Sequence, residues 1–268
     1  MATRRNLATS TTLTTDLGGT VSAGDTVLME QGALKYTASD LSASDLANFT
    51  LTEGFRGTFR DAGELKIVAN RSGTGVFENR SNAQRIELRS TGPTFKVATI
   101  IQDGTGELAL RELLCDLLVC VRGTTYINAN VDVDSIVVAR GATLIVADDA
   151  TYPLLDMQCN GGRTILRRKW TGTISVRGSA VLELASSTIA SAGTLTQHAG
   201  TVKIINAASM SAFNGFAGSI DVTQAERLPA ITTSVHYPDL LIRKRLRQSE
   251  PDWGSLTAPA GAAERDTI

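Results

Sequence analysis

Apolar and polar residues alternate in short segments along most of the chain, and a glycine precedes many of these segments. The pattern is clearest in the middle of the chain, where several segments begin with a glycine, continue with small polar residues and then alternate. These segments are residues 141–146, 172–176, 178–184, 200–204 and 218–222. Alternation with a period of two is typical of half-buried β-strands, and a glycine in front of a strand indicates a turn.

The spacing of the glycines predicts how these strands are arranged. Glycines at 123, 141, 162, 178, 200 and 218 are separated by 18, 21, 16, 22 and 18 residues. One coil of a parallel β-solenoid has about this length, and coils stack because none can bury its apolar face alone. We therefore predict an all-β fold, a parallel β-solenoid. A β-sandwich is the alternative, because strands recurring every ~8–12 residues also fit this pattern.

Changes in sequence character divide the chain into four segments. Residues 1–20 are rich in Thr, Ser and Arg and contain too few apolar residues for a core of their own, which predicts an N-terminal arm. Residues 21–64 are predicted to form a cap region that shields the first coil. Residues 65–226 form the β-solenoid body. Residues 227–268, which are interrupted by prolines, form a C-terminal extension.

Residues 113–121 are the most continuously apolar segment of the body. A strand of this kind is expected to be covered on both faces. Cys115 and Cys120 lie in this segment, and Cys159 lies in similar sequence. We predict that all three are buried, reduced thiols and not disulfide partners or metal ligands.

The composition and net charge of the chain argue against some classes of binding partner. The 268 residues are 42% hydrophobic and 20% charged, with a formal net charge of −1. This charge supplies no general attraction to nucleic acid or to an acidic membrane. No apolar run approaches the ~18 residues of a membrane span, and the first residues lack the apolar segment of a secretory signal. We expect a soluble protein made in a cytoplasm, with neither nucleic acid nor a membrane as its partner.

Two aspartates are the strongest candidates for catalytic carboxylates. Asp132 and Asp134 alternate on one predicted strand and therefore share a face, where the general acid and base of a glycan-cleaving site can lie. Asp148 and Asp149 follow on the next segment. The alternative is that outward-facing acidic residues keep the solenoid soluble. We favour this alternative, because glycan sites use aromatic platforms and only 5% of the chain is aromatic.

Other catalytic signatures are missing from the sequence. His198 and His236 lie in unrelated contexts without metal-ligand spacing, and the Gly-Thr-Gly at residues 73–75 lacks the third glycine of a nucleotide-binding loop. We therefore predict a non-enzymatic protein that works through its surfaces, with no catalytic residue, metal or cofactor.

Both ends of the chain carry candidate contacts to a partner. Apolar residues in the N-terminal arm are spaced as anchors, and the C-terminal extension contains a basic run and a tryptophan. The candidate residues are Leu7, Leu13, Leu17, Arg243, Lys244, Arg245, Arg247 and Trp253. The basic run could bind nucleic acid, but a solvated face or a contact with an acidic partner surface is the favoured interpretation.

One block near the N-terminus carries a family resemblance. It contains GDTVLMEQG at residues 24–32, LANFTL at 46–51 and GFRGTF at 54–59. The block resembles β-rich virion proteins encoded beside capsid genes in tailed bacteriophages, namely capsid decoration or cement proteins. The resemblance implies a homo-oligomer, either a trimer or another oligomer, on the outer surface of the virion capsid. There it binds the major capsid protein through its terminal arms and bridges capsomers. The alternative is a tailspike- or fibre-like β-helix that binds or cleaves a host surface glycan.

Overall fold

The structure is a computed structural model. It describes residues 2–7, 9–10, 12–19, 21–22, 25–30, 35–36, 48–53, 58–59, 64–66, 75–82, 85–89, 96–149, 151–185, 190–205, 209–225, 231–236, 240–243 and 255–256. Within this part of the chain the regular structure is almost entirely β-strand, with one helix, α1 (Leu13–Asp16). The chain divides into two compact units, Met1–Asp134 and Ser135–Ile268, which we call unit 1 and unit 2.

Unit 1 contains the first strands of the solenoid. In chain order they are β1 (Thr3–Arg5), β2 (Thr26–Met29), β3 (Lys35–Tyr36), β4 (Asn48–Leu51), β5 (Thr58–Phe59), β6 (Glu64–Lys66), β7 (Val76–Asn79), β8 (Arg85–Arg89), β9 (Lys96–Gln102), β10 (Glu107–Arg111), β11 (Leu113–Cys120) and β12 (Gly123–Ile127). One sheet has the order β1-β2-β4-β7-β9-β11 and a second has the order β6-β8-β10-β12, while β3 pairs with β5. From β6 onward the chain alternates between the two sheets, so each strand meets its sheet neighbour after one coil.

Unit 2 continues the same alternation. The unit boundary falls inside β13 (Val131–Val138), and the later strands are β14 (Ala142–Val146), β15 (Asp156–Cys159), β16 (Arg163–Leu166), β17 (Thr173–Val176), β18 (Val181–Leu184), β19 (Ala190–Gln197), β20 (Thr201–Ile204), β21 (Ser209–Gly215), β22 (Gly218–Asp221), β23 (Ile231–His236), β24 (Leu240–Arg243) and β25 (Ser255–Leu256). The odd-numbered strands from β13 to β25 form one sheet in order, and the even-numbered strands from β14 to β24 form another.

The direction of pairing identifies the fold class. All pairings between strands in the described part of unit 1 and of unit 2 are parallel. A parallel neighbour that is reached after one coil defines a β-solenoid, whereas a β-sandwich is built from antiparallel sheets. The predicted parallel β-solenoid is confirmed, and the sandwich alternative is wrong.

Inward-facing apolar side chains stack in rows, one residue from each coil. All members of the rows below are 2% exposed or less, and each is in register with the next. The row of unit 1 is Val27, Phe49, Phe77, Ile100 and Leu118. The row of unit 2 is Ile136, Met157, Ile174, Leu195 and Phe213. Complete burial of one such side chain contributes ~1.5–3 kcal/mol, so these rows form the core of each unit.

The rows stay in register although the coils differ in length. In unit 2 the step from Ile136 to Met157 is 21 residues, the step from Met157 to Ile174 is 17, and the step from Ile174 to Leu195 is 21. The additional residues lie in the connections between strands, which run over the surface and tolerate such differences. This explains why the glycine spacing in the sequence is irregular.

The predicted glycine turns are confirmed, and their geometry shows why glycine is needed. Gly162 has φ +68° and Gly200 has φ +78°, in the left-handed region that favours glycine. A Cβ atom would lie 2.2 Å from the carbonyl oxygen of Ala142 at Gly162, and 2.4 Å from that of Ala180 at Gly200. The glycines of the spaced series all have positive φ: Gly123, Gly141, Gly162, Gly178, Gly200 and Gly218.

Buried amide side chains satisfy the carbonyl oxygens at some of these corners. Gln102 in unit 1 donates from Nε2 to the carbonyl oxygens of Gly104 at 2.9 Å and Gly106 at 3.3 Å. Gln197 in unit 2 donates from Nε2 to those of Gly200 at 3.1 Å and Ser219 at 3.0 Å. Both glutamines are fully buried and end their strands. Their amide N–H groups donate to backbone carbonyl oxygens at the turn. These hydrogen bonds offset the free-energy cost of burying the carbonyl groups.

Two glycine substitutions distinguish the cost of the close contact between coils from the cost of backbone strain. Gly200→Ala introduces a Cβ against a backbone oxygen, whereas Gly141→Ala introduces one at φ +94° with no atom within 4 Å. Both variants carry roughly 1–3 kcal/mol of backbone strain. We expect Gly200→Ala to lower the thermal unfolding temperature clearly more than Gly141→Ala, as measured by circular dichroism. Equal losses in the two variants would show that coil-to-coil contact at the corner contributes nothing.

Candidate functional site

The first residues of the chain are held against unit 1 by one carboxylate. Asp25 accepts hydrogen bonds from the backbone N–H of Ala2 at 2.8 Å, the Nε–H of Arg4 at 2.9 Å and the backbone N–H of Ser22 at 3.0 Å. The Arg4 side chain, followed by the Ser22 and Ala2 backbone donors, lowers the pKa of Asp25 to about 2. β1 is thereby fixed beside β2, its parallel neighbour.

The three apolar candidates of the predicted N-terminal arm differ in how deeply they are buried. Leu13 is 0% exposed and Leu17 is 3% exposed, so both belong to the core of unit 1, whereas Leu7 is 62% exposed. The carboxylate of Asp16 accepts from the backbone N–H of Thr9 at 2.7 Å and closes the segment before α1. The described part of this segment therefore packs against unit 1 of its own chain. Of the three leucines, only Leu7 offers an apolar surface to a partner.

The C-terminal candidates lie at the edge of the described residues or beyond it. Arg243 is the last residue of β24 and is in register with Asp221 of β22. The other four candidates lie outside the residues that the structure describes: Lys244, Arg245, Arg247 and Trp253.

Asp132 and Asp134 lie on one outward face of β13, as the alternation predicts. Asp134 is exposed and Asp132 is half-buried. Asp116 on β11 forms an ion pair with Lys96 of β9, with 2.5 Å between Oδ1 and Nζ. The hydrogen bond to Asp116, with a smaller contribution from the charge of Asp134, raises the pKa of Lys96. The candidate carboxylates therefore lie in a mixed-charge surface that includes a lysine.

The other two acidic candidates differ from each other in burial. Asp148 is exposed, whereas the side chain of Asp149 is 5% exposed and lies 3.7 Å from a guanidinium nitrogen of Arg168, which is 0% exposed. Arg168 also donates to the carbonyl oxygens of Ala147 at 3.1 Å and Tyr152 at 3.3 Å. Asp149 and Arg168 thus fix the connection between β14 and β15 from inside, which is a structural role.

The cysteines and histidines have separate environments. Cys115, Cys120 and Cys159 are buried, as predicted, and none of the three is in a disulfide. Burial raises the pKa of the Cys115 thiol to about 12 and that of Cys159 to about 11, so both are protonated at neutral pH. The ring of His198 stacks on that of Phe216. Among the described residues, no group of three or more His, Cys, Asp or Glu side chains is arranged to hold a metal ion.

An apolar surface lies on the outer side of one sheet of unit 1. In β11 the inward residues Leu118 and Cys120 are fully buried, while Leu117 and Val119 point outward and are half-buried. The sequence predicts that this segment is covered on both faces. Within the described part of unit 1 the outer face is only half-buried.

The apolar surface extends over the two preceding strands of the same sheet. Leu117 is in register with Thr99 of β9, and Thr99 with Val76 of β7; Val119 is in register with Ile101. All are half-buried. We call these residues the apolar face: Val76, Thr99, Ile101, Leu117 and Val119. A contiguous apolar patch on a protein surface is a candidate for binding another protein.

Charged side chains that form ion pairs lie on or next to the same strands. Glu78, which is in register with Ile101, pairs with Arg80 at 2.8 Å. Asp103, which follows β9, pairs with Arg122 at 2.8 Å. A half-buried apolar centre with a polar, charged rim is the usual composition of a protein–protein interface.

The continuous apolarity of residues 113–121 is a sequence signal for this surface. Residues 113–121 are apolar at outward as well as inward positions, and Ile100 and Ile101 repeat this on the preceding coil. Once the inward-facing row is known, Ile101, Leu117 and Val119 are recognised as apolar residues at outward-facing positions. Without the register, continuous apolarity indicates only that both faces are covered, not what covers them.

Comparisons of the chain with protein-family models, with curated proteins and with solved structures found no match. Among the described residues, α1 is the only helix, and its four residues are too few to cross a bilayer.

The Asp25 contacts predict a pH dependence. Because the pKa of Asp25 in the folded protein is about 2, below its ordinary value of 3.8, its stabilisation is complete above pH 3.8 and is lost as the pH falls toward 2. We expect Asp25→Asn to lower the thermal unfolding temperature at pH 7 and to converge with the parent protein near pH 2. At pH 7 we also expect faster tryptic cleavage after Arg4 and Arg5.

Glu30→Gln is the matched control for Asp25→Asn. Glu30 pairs with Arg5 on the surface, where that arginine is 57% exposed, and such pairs contribute ~0–1 kcal/mol. We expect little change in cleavage or unfolding temperature. Resistance of Asp25→Asn to trypsin equal to that of the parent would contradict the role of Asp25.

The buried ion pair of unit 2 predicts a large loss of stability. Arg168→Ala leaves the Asp149 carboxylate buried without its guanidinium, and breaking one partner of such a pair costs ~3–5 kcal/mol. Arg163→Ala is the control, because Arg163 is 54% exposed and its partner Glu183 keeps Lys203 within 3.6 Å. Denaturant unfolding measures both variants. A smaller loss for Arg168→Ala than for Arg163→Ala would exclude a structural role for the buried pair.

Proposed function

We propose that the protein is a non-enzymatic structural component of a bacteriophage virion that decorates the capsid and stabilises it by bridging capsomers. The apolar face of unit 1 is the single observation that carries this proposal. Its location on a rigid parallel sheet provides a preformed surface, so that binding requires little ordering of the backbone. The resemblance of residues 24–59 to capsid decoration proteins supports a capsid subunit as the partner.

The energetics of the apolar face favour a protein partner. Moving a Val, Leu or Ile side chain from full exposure to full burial contributes ~1.5–3 kcal/mol, and half-buried side chains retain roughly half of that. Ile101, Leu117 and Val119 together therefore offer a few kcal/mol before other contacts are counted. A modest contribution at each site is sufficient on a capsid, because many linked sites produce avidity.

Leu7 supplies a second contact in the same unit. It follows β1, its backbone N–H donates to the carbonyl oxygen of Asp16, and its side chain is the most exposed of the large apolar side chains in the described part of the chain. In this proposal the N-terminal segment remains on unit 1 and presents Leu7 to the capsid. The basic run at the C-terminus contributes a contact with an acidic surface of the major capsid protein.

We also propose that the protein self-associates and that it lies on the outer surface of the capsid. By the same resemblance the protein forms a homotrimer on the outer surface of the head. Sedimentation equilibrium of the purified protein measures the number of chains directly. Neither association with nucleic acid nor a cofactor is part of the proposed function.

The apolar face provides the decisive experiment. Ile101→Lys places a charge at the centre of the face without touching the inward rows. We expect it to weaken co-sedimentation with phage heads by at least about tenfold, the effect of losing an interface hot spot. The heads are purified from a phage in which the gene for this protein is disrupted.

Ser175→Lys is the matched control, because Ser175 points outward from a sheet in unit 2. It should bind heads as the parent does, and both variants should show the parent's thermal unfolding curve. Full binding by Ile101→Lys, or failure of the parent protein to bind the heads, would refute the proposal.

A further inference from the structure

A loop between β14 and β15 presents apolar side chains on the surface of unit 2. It consists of residues 151–155, and we call it the apolar loop. Leu155 is 41% exposed, and Tyr152 and Pro153 are half-buried. The connection that contains it runs from 147 to 155, whereas the connection between β16 and β17 runs only from 167 to 172. The apolar loop therefore lies in the longer of these two neighbouring connections.

A buried ion pair fixes the start of the apolar loop from inside. Asp149 accepts hydrogen bonds at Oδ1 from the backbone N–H of Thr151 at 2.8 Å and of Tyr152 at 3.4 Å. Arg168, whose guanidinium lies 3.7 Å from the Asp149 carboxylate, donates to the carbonyl oxygen of Tyr152 at 3.3 Å. Desolvation offsets much of the attraction within such a pair. What the pair adds is a fixed position for the Tyr152 backbone, which is bonded to both of its members.

The following coil fixes the end of the apolar loop. The backbone N–H of Leu154 donates to the carbonyl oxygen of Lys169 at 3.0 Å, and that of Thr171 donates to the carbonyl oxygen of Leu154 at 2.9 Å. The side chain of Leu154 is 1% exposed, and that of Trp170, its parallel bridge partner, is fully buried. The exposed side chain of Leu155 thus belongs to a backbone that is fixed before binding, which lowers the entropy lost when a partner binds.

Charged side chains of both signs surround the apolar loop. Asp148 and Asp156 flank it in sequence and are exposed. On the following coil, Arg167 is exposed and Lys169 is half-buried. None of the four forms an ion pair within the part of the chain that the structure describes. Two acidic and two basic groups around an apolar centre complement a second copy of the same surface, whereas a partner surface with charge of one sign would repel half of them.

We infer that the apolar loop is the contact through which copies of this chain associate with one another. In a closed symmetric oligomer every copy uses the same residues, so one patch that is complementary to itself is sufficient for a contact across a symmetry axis. Leu155 and Tyr152 supply the apolar centre of this contact, and the four charges supply its rim. The inference rests on the self-association in the proposed function and assigns it to unit 2, whereas the apolar face of unit 1 remains available to the capsid.

Leu155→Lys tests the inference. It adds a charge to the apolar centre and leaves the buried Leu154 and Trp170 in place, so its circular dichroism spectrum should be that of the parent. Sedimentation equilibrium of the full chain, without phage heads, measures the dissociation constant of self-association. We expect Leu155→Lys to raise this constant by at least about tenfold, the effect of losing an interface hot spot.

A second variant tests the charges and leaves the apolar loop intact. Arg167→Glu combined with Lys169→Glu makes all four charges around the loop acidic, so that two copies repel each other. We expect the dissociation constant to rise by at least about tenfold here as well. If Leu155→Lys does not fold, this variant decides the question.

Ile165→Lys is the matched control, because Ile165 is a half-buried, outward-facing apolar residue on the other sheet of unit 2. It should self-associate as the parent does, and so should Ile101→Lys. The inference is overturned if the parent protein is a monomer, if either test variant is folded and self-associates as the parent does, or if Ile165→Lys loses as much. Failure of the capsid proposal gives a different result: Ile101→Lys binds phage heads fully, while Leu155→Lys still loses self-association.

Discussion

The closeness of one coil to the next at the glycine corners is the constraint on which each unit depends. At Gly162 and Gly200 the backbone passes so near a carbonyl oxygen of the preceding coil that no side chain fits, and it does so with a left-handed φ. If these corners opened, neighbouring strands could not keep the ~4.8 Å separation of a hydrogen-bonded sheet. Gln102 and Gln197 complete the corners from inside by bonding to the carbonyl oxygens that the turns leave in the core.

This constraint leaves the outward positions free to differ, and they do differ between the units. The inward rows that contain Ile100 and Ile174 consist of buried apolar residues in both units. Outward positions in unit 1 include Leu117 and Val119, and the corresponding positions in unit 2 include Thr196. A sheet that is specified from inside can therefore display chemically different outer surfaces, and the proposed binding surface of unit 1 follows from this freedom.

The fold was predictable because alternation and glycine spacing are local properties of the chain. The contacts of the N-terminal segment were not, since a Thr-rich segment does not show which surface it will meet, and the Arg4–Asp25 pair spans 21 residues. His198 and Phe216 are 18 residues apart, one coil, so their pairing becomes visible only once the coil length is known. The apolar face was visible as excess apolarity in residues 113–121, but its orientation needed the register.

The position of β1 at the end of its sheet has a consequence for how the protein avoids polymerising. A solenoid ends in an open strand whose unpaired backbone groups can template another molecule, and stacked rods that join in this way become fibres. β1 has only three residues, and two of them, Arg4 and Arg5, are held by Asp25 and Glu30. A short strand whose two arginines are held in ion pairs is a poor template, so β1 protects this edge of its sheet against pairing with another molecule.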